Sequence, residues 1–298
     1  MAASEGRLNF SKPSPALLWT LVGFMVVIWS LNPIAAKVAL RDLPAPLLVS
    51  LRTTMAAVLV FPALIQARKV IRAAHWWKLA LLGAGLQVGN QLIYVAALSW
   101  TSVAHAAFIY SVLPVIILLL AASRGQEKIT SNKLIGMSVC FAGAVWLASD
   151  RSGGGDPSLQ GDAMLVVAGI MFAAFTVFGK QARQKYGAVA LNSLAYVSGA
   201  ALLQPVIWLG YRDFAFASVP SEAWWAVAYM AVFPSVLGYL IYYWALGHVT
   251  ASRIAGVQYI QPLTATSLGW ILLGESVSLN LGMAGAVILI GVYLAERR

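Results

Sequence analysis

Gln87, Asn90, Gln91 and Tyr94 stand at i, i+3, i+4 and i+7 within an apolar run. On a helix that spacing lays three amides and a phenol along one stripe. Such groups can hold a small polar ligand by hydrogen bonds, and they can equally tie one helix to the next. The same spacing returns 148 residues later as Ser235, Gly238, Tyr239 and Tyr242 (235 − 87 = 148). Polar side chains are unfavourable against hydrocarbon, so both stripes should face protein or a water-filled cavity. The echo in register favours a cavity lined from two sides. Tyr110 and Gln258 add a matched pair (258 − 110 = 148), each followed four residues later by a proline, Pro114 and Pro262. A proline lacks an amide donor and frees the carbonyl one turn earlier, which kinks a helix or presents backbone polarity to a site.

Trp29 is expected near mid-span, and an aromatic face beside amides suits a small amphipathic ligand such as an amino acid with a large side chain. The candidate substrate-binding set is Trp29, Gln87, Asn90, Gln91, Tyr94, Tyr110, Tyr239, Tyr242 and Gln258. Lys37, His105, Pro114 and Pro262 are candidates for gating or for guiding a carboxylate. Snorkelling to the interface competes with that role for Lys37, and a structural role competes for His105. None of the ten acidic residues falls in the middle of an expected span. A carrier of lipophilic cations, or one coupled to protons through a membrane carboxylate, needs such a group. The three histidines are scattered, and neither an HExxH pattern nor a glycine-rich phosphate loop is present. No catalytic residue, metal site or cofactor is therefore expected. An intramembrane enzyme acting on a lipid-linked substrate is the alternative, and so is an exporter of other small organic anions.

The elements that must position these residues come from a duplication. Trp77–Leu147 aligns without a gap on Trp225–Ala295, pairing Tyr94 with Tyr242, Leu98 with Leu246, Pro114 with Pro262, Glu127 with Glu275 and Gly143 with Gly291. Each half must then make the same unit. Of the 298 residues 60% are hydrophobic and 10% charged, with mean hydropathy +0.80. Soluble domains carry roughly 25% charged residues, so most of this surface must face lipid. The net charge of +10 reflects how basic residues are shared among loops rather than nucleic-acid binding. The lone Cys140 offers no disulfide.

Apolar runs predict an all-α membrane protein of ten transmembrane helices: Ala16–Val38, Pro46–Gln66, Trp76–Leu98, Val103–Ala122, Ser131–Ser149, Asp162–Gln181, Ala190–Tyr211, Ala223–Leu246, Arg253–Leu273 and Leu281–Ala295. Fifteen Lys and Arg fall on one side and five, Lys37, Arg41, Arg52, Arg151 and Arg212, on the other. That bias puts both termini in the cytoplasm, as in a bacterial inner membrane. Five helices per half place the halves in opposite senses, giving two inverted five-helix repeats at 1–149 and 162–298, joined by an outer linker at 150–161. Inverted repeats are the architecture of secondary transporters that work by alternating access. Glu127 and Glu275 are expected to cap the helices that follow them. The lipid bilayer and a small-molecule substrate are the expected partners, and ten helices in one chain are compatible with a monomer.

The run Trp29-Ser30-Leu31-Asn32-Pro33-Ile34-Ala35-Ala36-Lys37 resembles the tryptophan–asparagine–lysine segment of the drug/metabolite transporter superfamily, EamA type. Ser30 and Pro33 stand where a glycine and an apolar residue are commoner in that family. Leu273-Gly274-Glu275-Ser276-Val277-Ser278, followed by Gly282 and Gly291, resembles the end of an EamA repeat. The resemblance covers essentially the whole chain. It implies a transporter with a central cavity between two repeats, many such proteins exporting amino acids and related metabolites.

Overall fold

The computed structural model describes residues 13–72, 76–110, 112–126, 128–149, 158–249, 254 and 260–296. Every regular element among them is helical. α1 spans Pro15–Ala39. Ser14 caps it, its hydroxyl accepting the Leu17 amide at 3.2 Å, and Pro15 takes the first turn, where a missing N–H breaks no bond. There follow α2 (Ala45–Arg72), α3 (Trp76–Ala97), α4 (Val103–Ser123), α5 (Ser131–Ser149) and α6 (Leu159–Tyr186). The chain continues through α7 (Ala188–Gly210), α8 (Ser221–Ala245), α9 (Ile260–Leu273) and α10 (Leu279–Glu296).

Among the described residues seven helices, α1–α4 and α6–α8, are long and apolar enough to cross a membrane, and shorter apolar stretches lie at Leu263–Leu273 in α9 and Leu279–Gly291 in α10. The chain is a multi-pass helical membrane protein. Large apolar side chains such as Phe141, Leu209, Trp225 and Leu279 stand exposed on its outside, as a lipid-facing surface requires. The ten expected spans are thus matched in part, by seven helices of full length. Arg253, the expected start of the ninth, lies outside the described residues.

Among the described residues four helices depart from the continuous rods that periodicity suggests, α7 only in its last turn, Val206–Gly210. α3 opens into a wide π turn at Leu82–Val88, and α8 does so at Ala231–Gly238. Shifting the first by 148 gives 230–236, so the two turns sit at the same place in each half. α4 is broken rather than continuous: a helix ends at Tyr110 and another starts at Leu113. Pro114 lies in the first turn of the second piece and has no amide to give to the Tyr110 carbonyl.

α5 and α10 touch through repeat-equivalent residues. A Cβ added at Gly143 would lie 2.7 Å from Ile288 Cγ1, and one at Gly291 would lie 2.5 Å from the Cys140 amide. Since 288 − 140 = 148 and 291 − 143 = 148, each helix presents the same residues to the other. The Cys140 thiol donates to the Ile288 carbonyl at 3.5 Å in the same contact.

Candidate functional site

A cavity of about 90 Å³ opens between the halves. The first half contributes Trp29 and Asn32 from α1, Arg52 from α2, Asn90, Gln91 and Tyr94 from α3, and Tyr110 and Leu113 at the break in α4. The second half contributes Phe172 from α6, Pro234 and Tyr239 from α8, and Gln261 from α9.

One wall is aromatic. Trp29 meets Phe172 edge-on at 6.1 Å, Tyr239 at 5.4 Å and Tyr242 at 5.3 Å between ring centroids. Trp29 and Phe172 are themselves repeat-equivalent, in the same offset as Lys37 and Lys180 (172 − 29 = 143, 180 − 37 = 143). The indole N–H donates to the Pro234 carbonyl at 3.3 Å, and Gly238 leaves it room, since a Cβ there would lie 2.5 Å from Nε1. Pro234 leaves the Met230 carbonyl without its usual helical donor; the Ser235 hydroxyl supplies one at 2.7 Å.

The other wall carries amides. Asn90 Nδ2 donates to the Tyr110 hydroxyl at 2.9 Å and to the Ala168 carbonyl. Gln91 Nε2 donates to the Tyr196 hydroxyl at 2.9 Å. The Tyr94 and Tyr110 rings meet edge-on at 4.8 Å. Asn32 Oδ1, Gln91 Oε1, Gln261 Nε2 and Arg52 Nε are buried atoms without a hydrogen-bond partner, and all four residues line the cavity.

The structure therefore gathers Trp29, Asn90, Gln91, Tyr94, Tyr110 and Tyr239 around one space. Gln87 is not among the lining residues. Its Nε2 donates to Asn192 Oδ1 at 3.3 Å and its Oε1 accepts the Tyr243 hydroxyl at 2.8 Å, so the stripe continues about one turn beyond the cavity and ties α3 to α7 and α8. Tyr242 stands behind Trp29, its hydroxyl 2.9 Å from that of Thr176. Gln258 lies outside the described residues, and Pro262 falls within α9. Replacing Gln87 with alanine should lower stability by about 1–3 kcal/mol, because Asn192 and Tyr243 lose their partner. Transport per folded molecule should stay near wild type. Thermal melts in detergent beside uptake rates check both.

The end of the bundle where α1 stops and α4 starts is built differently. A pocket of about 590 Å³ there is lined by Lys37, Arg41, Ser102, Glu275 and their neighbours. The Glu275 carboxylate accepts the Val103 amide at 2.9 Å and the Ala104 amide at 3.3 Å. It thus caps α4, in the other half, rather than α10 as its place in the sequence suggests; a carboxylate at a helix N-terminus meets orphan amides and the positive dipole end. Glu127 lies outside the described residues. Beneath this cap His105 Nε2 lies 2.9 Å from Asp162 Oδ1, and both side chains are buried, joining α4 to α6. Lys37 and His105 therefore share one end of the bundle, away from the central cavity, and Pro114 marks the break beside it. Among the described residues no group of three or more His, Cys, Asp or Glu is gathered to hold a metal.

Sequence reasoning placed Arg52 with the outer basic residues. It is instead buried on the cavity, its Nη2 donating to Ser235 Oγ at 2.9 Å. Asn32 and Leu113 were passed over as well. Asn32 was visible only within the Trp29–Lys37 run. The proline after Leu113 was the only sign that this leucine sits at a break.

A lipid-spanning helical bundle with a small polar cavity between two related halves is the build of a membrane transporter. The chain belongs to the EamA-like transporter family, whose model matches it twice, over residues 15–149 and 159–296. It is 27% identical over 281 residues to an uncharacterized transporter of Archaeoglobus fulgidus, covering 94% of this chain and 99% of the relative. It is 24% identical to a probable amino-acid metabolite efflux pump of Salmonella typhimurium, covering 91% of each. A solved crystal structure shares the fold with a TM-score of 0.67 at 22% identity, over 94% of this chain and 96% of that one.

Proposed function

We propose that the protein is a secondary transporter of small amphipathic metabolites, amino acids and aromatic ones among them, working by alternating access as an exporter or facilitator. The observation that carries this reading is the cavity built by both halves, with rings on one wall and amides on the other. The name of the Salmonella typhimurium relative points the same way. We read residues 1–149 and 162–298 as two inverted five-helix repeats with 150–161 as the outer linker. The reciprocal α5–α10 contact supports that reading, because a self-complementary contact is what a two-fold relation produces. The excess of Lys and Arg on one side supports cytoplasmic termini in a bacterial inner membrane. A single chain supplies the whole cavity, so a monomer suffices.

At about 90 Å³ the space is well below the roughly 300 Å³ at which small-molecule sites begin. This conformation is contracted, and cargo enters as the halves rock apart. The test is uptake of labelled amino acids into proteoliposomes, with and without a pH gradient. Saturable uptake is expected, with kcat/KM at least tenfold lower in Trp29→Ala and Gln91→Ala proteins that elute as folded monodisperse species. An absence of saturable uptake across the panel would remove amino acids as cargo. Uptake indifferent to both substitutions would move the site elsewhere.

A further inference from the structure

We infer that Arg52 is the anchor for a carboxylate, so that a carboxylate is the group the cavity demands of its cargo. The inference rests on the central cavity being the substrate site.

Arg52 lies two turns inside α2 and is 2% exposed. Nη2 is held by the Ser235 hydroxyl, which itself donates to the Met230 carbonyl. Nε has no partner. Among the described residues no carboxylate stands within ion-pair distance of the guanidinium: the buried Asp162 is beside His105, and Glu275 caps α4. A guanidinium keeps its charge in any protein environment, so it cannot escape burial by losing a proton. An arginine kept for structure is paired with an acid or saturated by carbonyls, because an unpaired buried charge is among the costliest groups to keep. This one faces a cavity with donor capacity unspent.

The neighbours fit a ligand with one anionic end. Gln261 Nε2 is a second unpartnered donor, and Asn32 Oδ1 and Gln91 Oε1 are unpartnered acceptors. An amide can turn to donate or accept, but a guanidinium only donates, so Arg52 sets the sense of the site. Two parallel N–H groups match the two oxygens of a carboxylate. A hydroxyl or ammonium beside the carboxylate would reach the Asn32 and Gln91 oxygens, leaving Trp29 and Phe172 for the apolar part. Because no acid among the described residues balances Arg52, an ammonium contributes less than the carboxylate, and a cargo without a carboxylate leaves the charge uncompensated.

Three compounds with one phenyl group separate these terms in proteoliposomes of the full-length protein. Phenylalanine and 3-phenylpropionate, which has lost the ammonium, should both be carried saturably and raise the melting temperature. Phenethylamine, which has lost the carboxylate, should do neither. Arg52→Gln should lower kcat/KM for both carboxylates at least a hundredfold, yet melt no lower than wild type, since it removes an unbalanced charge. Arg52→Lys should keep carboxylate preference with weaker binding, and it stands in if the glutamine variant does not fold. Carriage of phenethylamine as good as that of phenylalanine overturns the inference, as does undiminished carboxylate uptake by the glutamine variant. If Trp29→Ala stops uptake while Arg52→Gln leaves carboxylate preference intact, the cavity stands as the site and the anchor falls. If neither substitution changes uptake, the cavity itself falls. A wild type that neither carries nor is stabilised by any of the three overturns the anchor.

Discussion

Gly291→Val should yield almost no folded protein on detergent extraction. A Cβ at this position lies 2.5 Å from the Cys140 amide nitrogen and 2.8 Å from the Gly136 carbonyl oxygen, both backbone atoms of α5. Backbone inside a helix cannot step aside as a side-chain tip can, so α5 and α10 must separate. Overpacking typically costs about 1–3 kcal/mol and occasionally more; with main chain as the obstacle the upper end applies. Gly143→Val should behave alike, because its Cβ meets Ile288 at 2.7 Å and 3.0 Å. Gly282, also in α10, has nothing within 4 Å of an added Cβ, so Gly282→Ala is the control and should extract and melt like wild type. Size-exclusion profiles and thermal melts of the three variants decide it. A Gly291→Val protein with a wild-type profile would mean that the helices are not in this contact.

Glu275→Ala should shift the resting equilibrium toward a form open at the Lys37–Glu275 end. The carboxylate belongs to the loop before α10 and its two amide donors to the start of α4, so it joins the halves. Parting the halves there breaks both bonds and leaves the α4 amides without an acceptor. Loss of such a cap costs about 1–2 kcal/mol, roughly a five- to thirtyfold change in the balance of two states. The reporter is Thr101→Cys in a Cys140→Ala background, because Thr101 is only 2% exposed in the closed form. Labelling by a membrane-impermeant maleimide should speed up at least fivefold when Glu275 is replaced. An unchanged rate would show that the cap does not hold this end shut.

The duplication was legible because it is carried by chemically distinctive residues, and Gly143 and Gly291 prove to be the two that let α5 and α10 touch. Most of the polar stripe was legible for the same reason: spacing along one helix sets which face a side chain takes. How far the cavity extends along that face was not. Gln87 shares the stripe with Gln91, yet Asn192 and Tyr243 close the space in front of it, and both come from distant helices. Arg52 was misplaced because an arginine about 10 Å inside a helix end reads as a side chain that snorkels outward. Only the tertiary arrangement, with Ser235 placed 183 residues away in sequence, shows that it turns inward. Glu275 was assigned to the helix it precedes; a sequence shows its neighbours along the chain and not the helix end of the other half.

The π turns in α3 and α8 make the cavity a question of phase. Each wide turn takes up more chain than an α-turn, and one residue of α-helix is about 100° of rotation. Above its turn α3 points Asn90, Gln91 and Tyr94 at the cavity, while below it the Ala80 carbonyl accepts from the Ser198 hydroxyl of α7 at 3.4 Å. A deletion of one residue within Leu82–Val88 would keep every side chain of the site and the apolar character of the span. It would also swing the stripe by roughly a quarter turn relative to the packing face, toward lipid or a neighbouring helix. The same holds for Tyr239 above the turn in α8. Chain length between packing face and binding face is thus as much a part of this site as its amides and rings, and substitution alone would never reveal it.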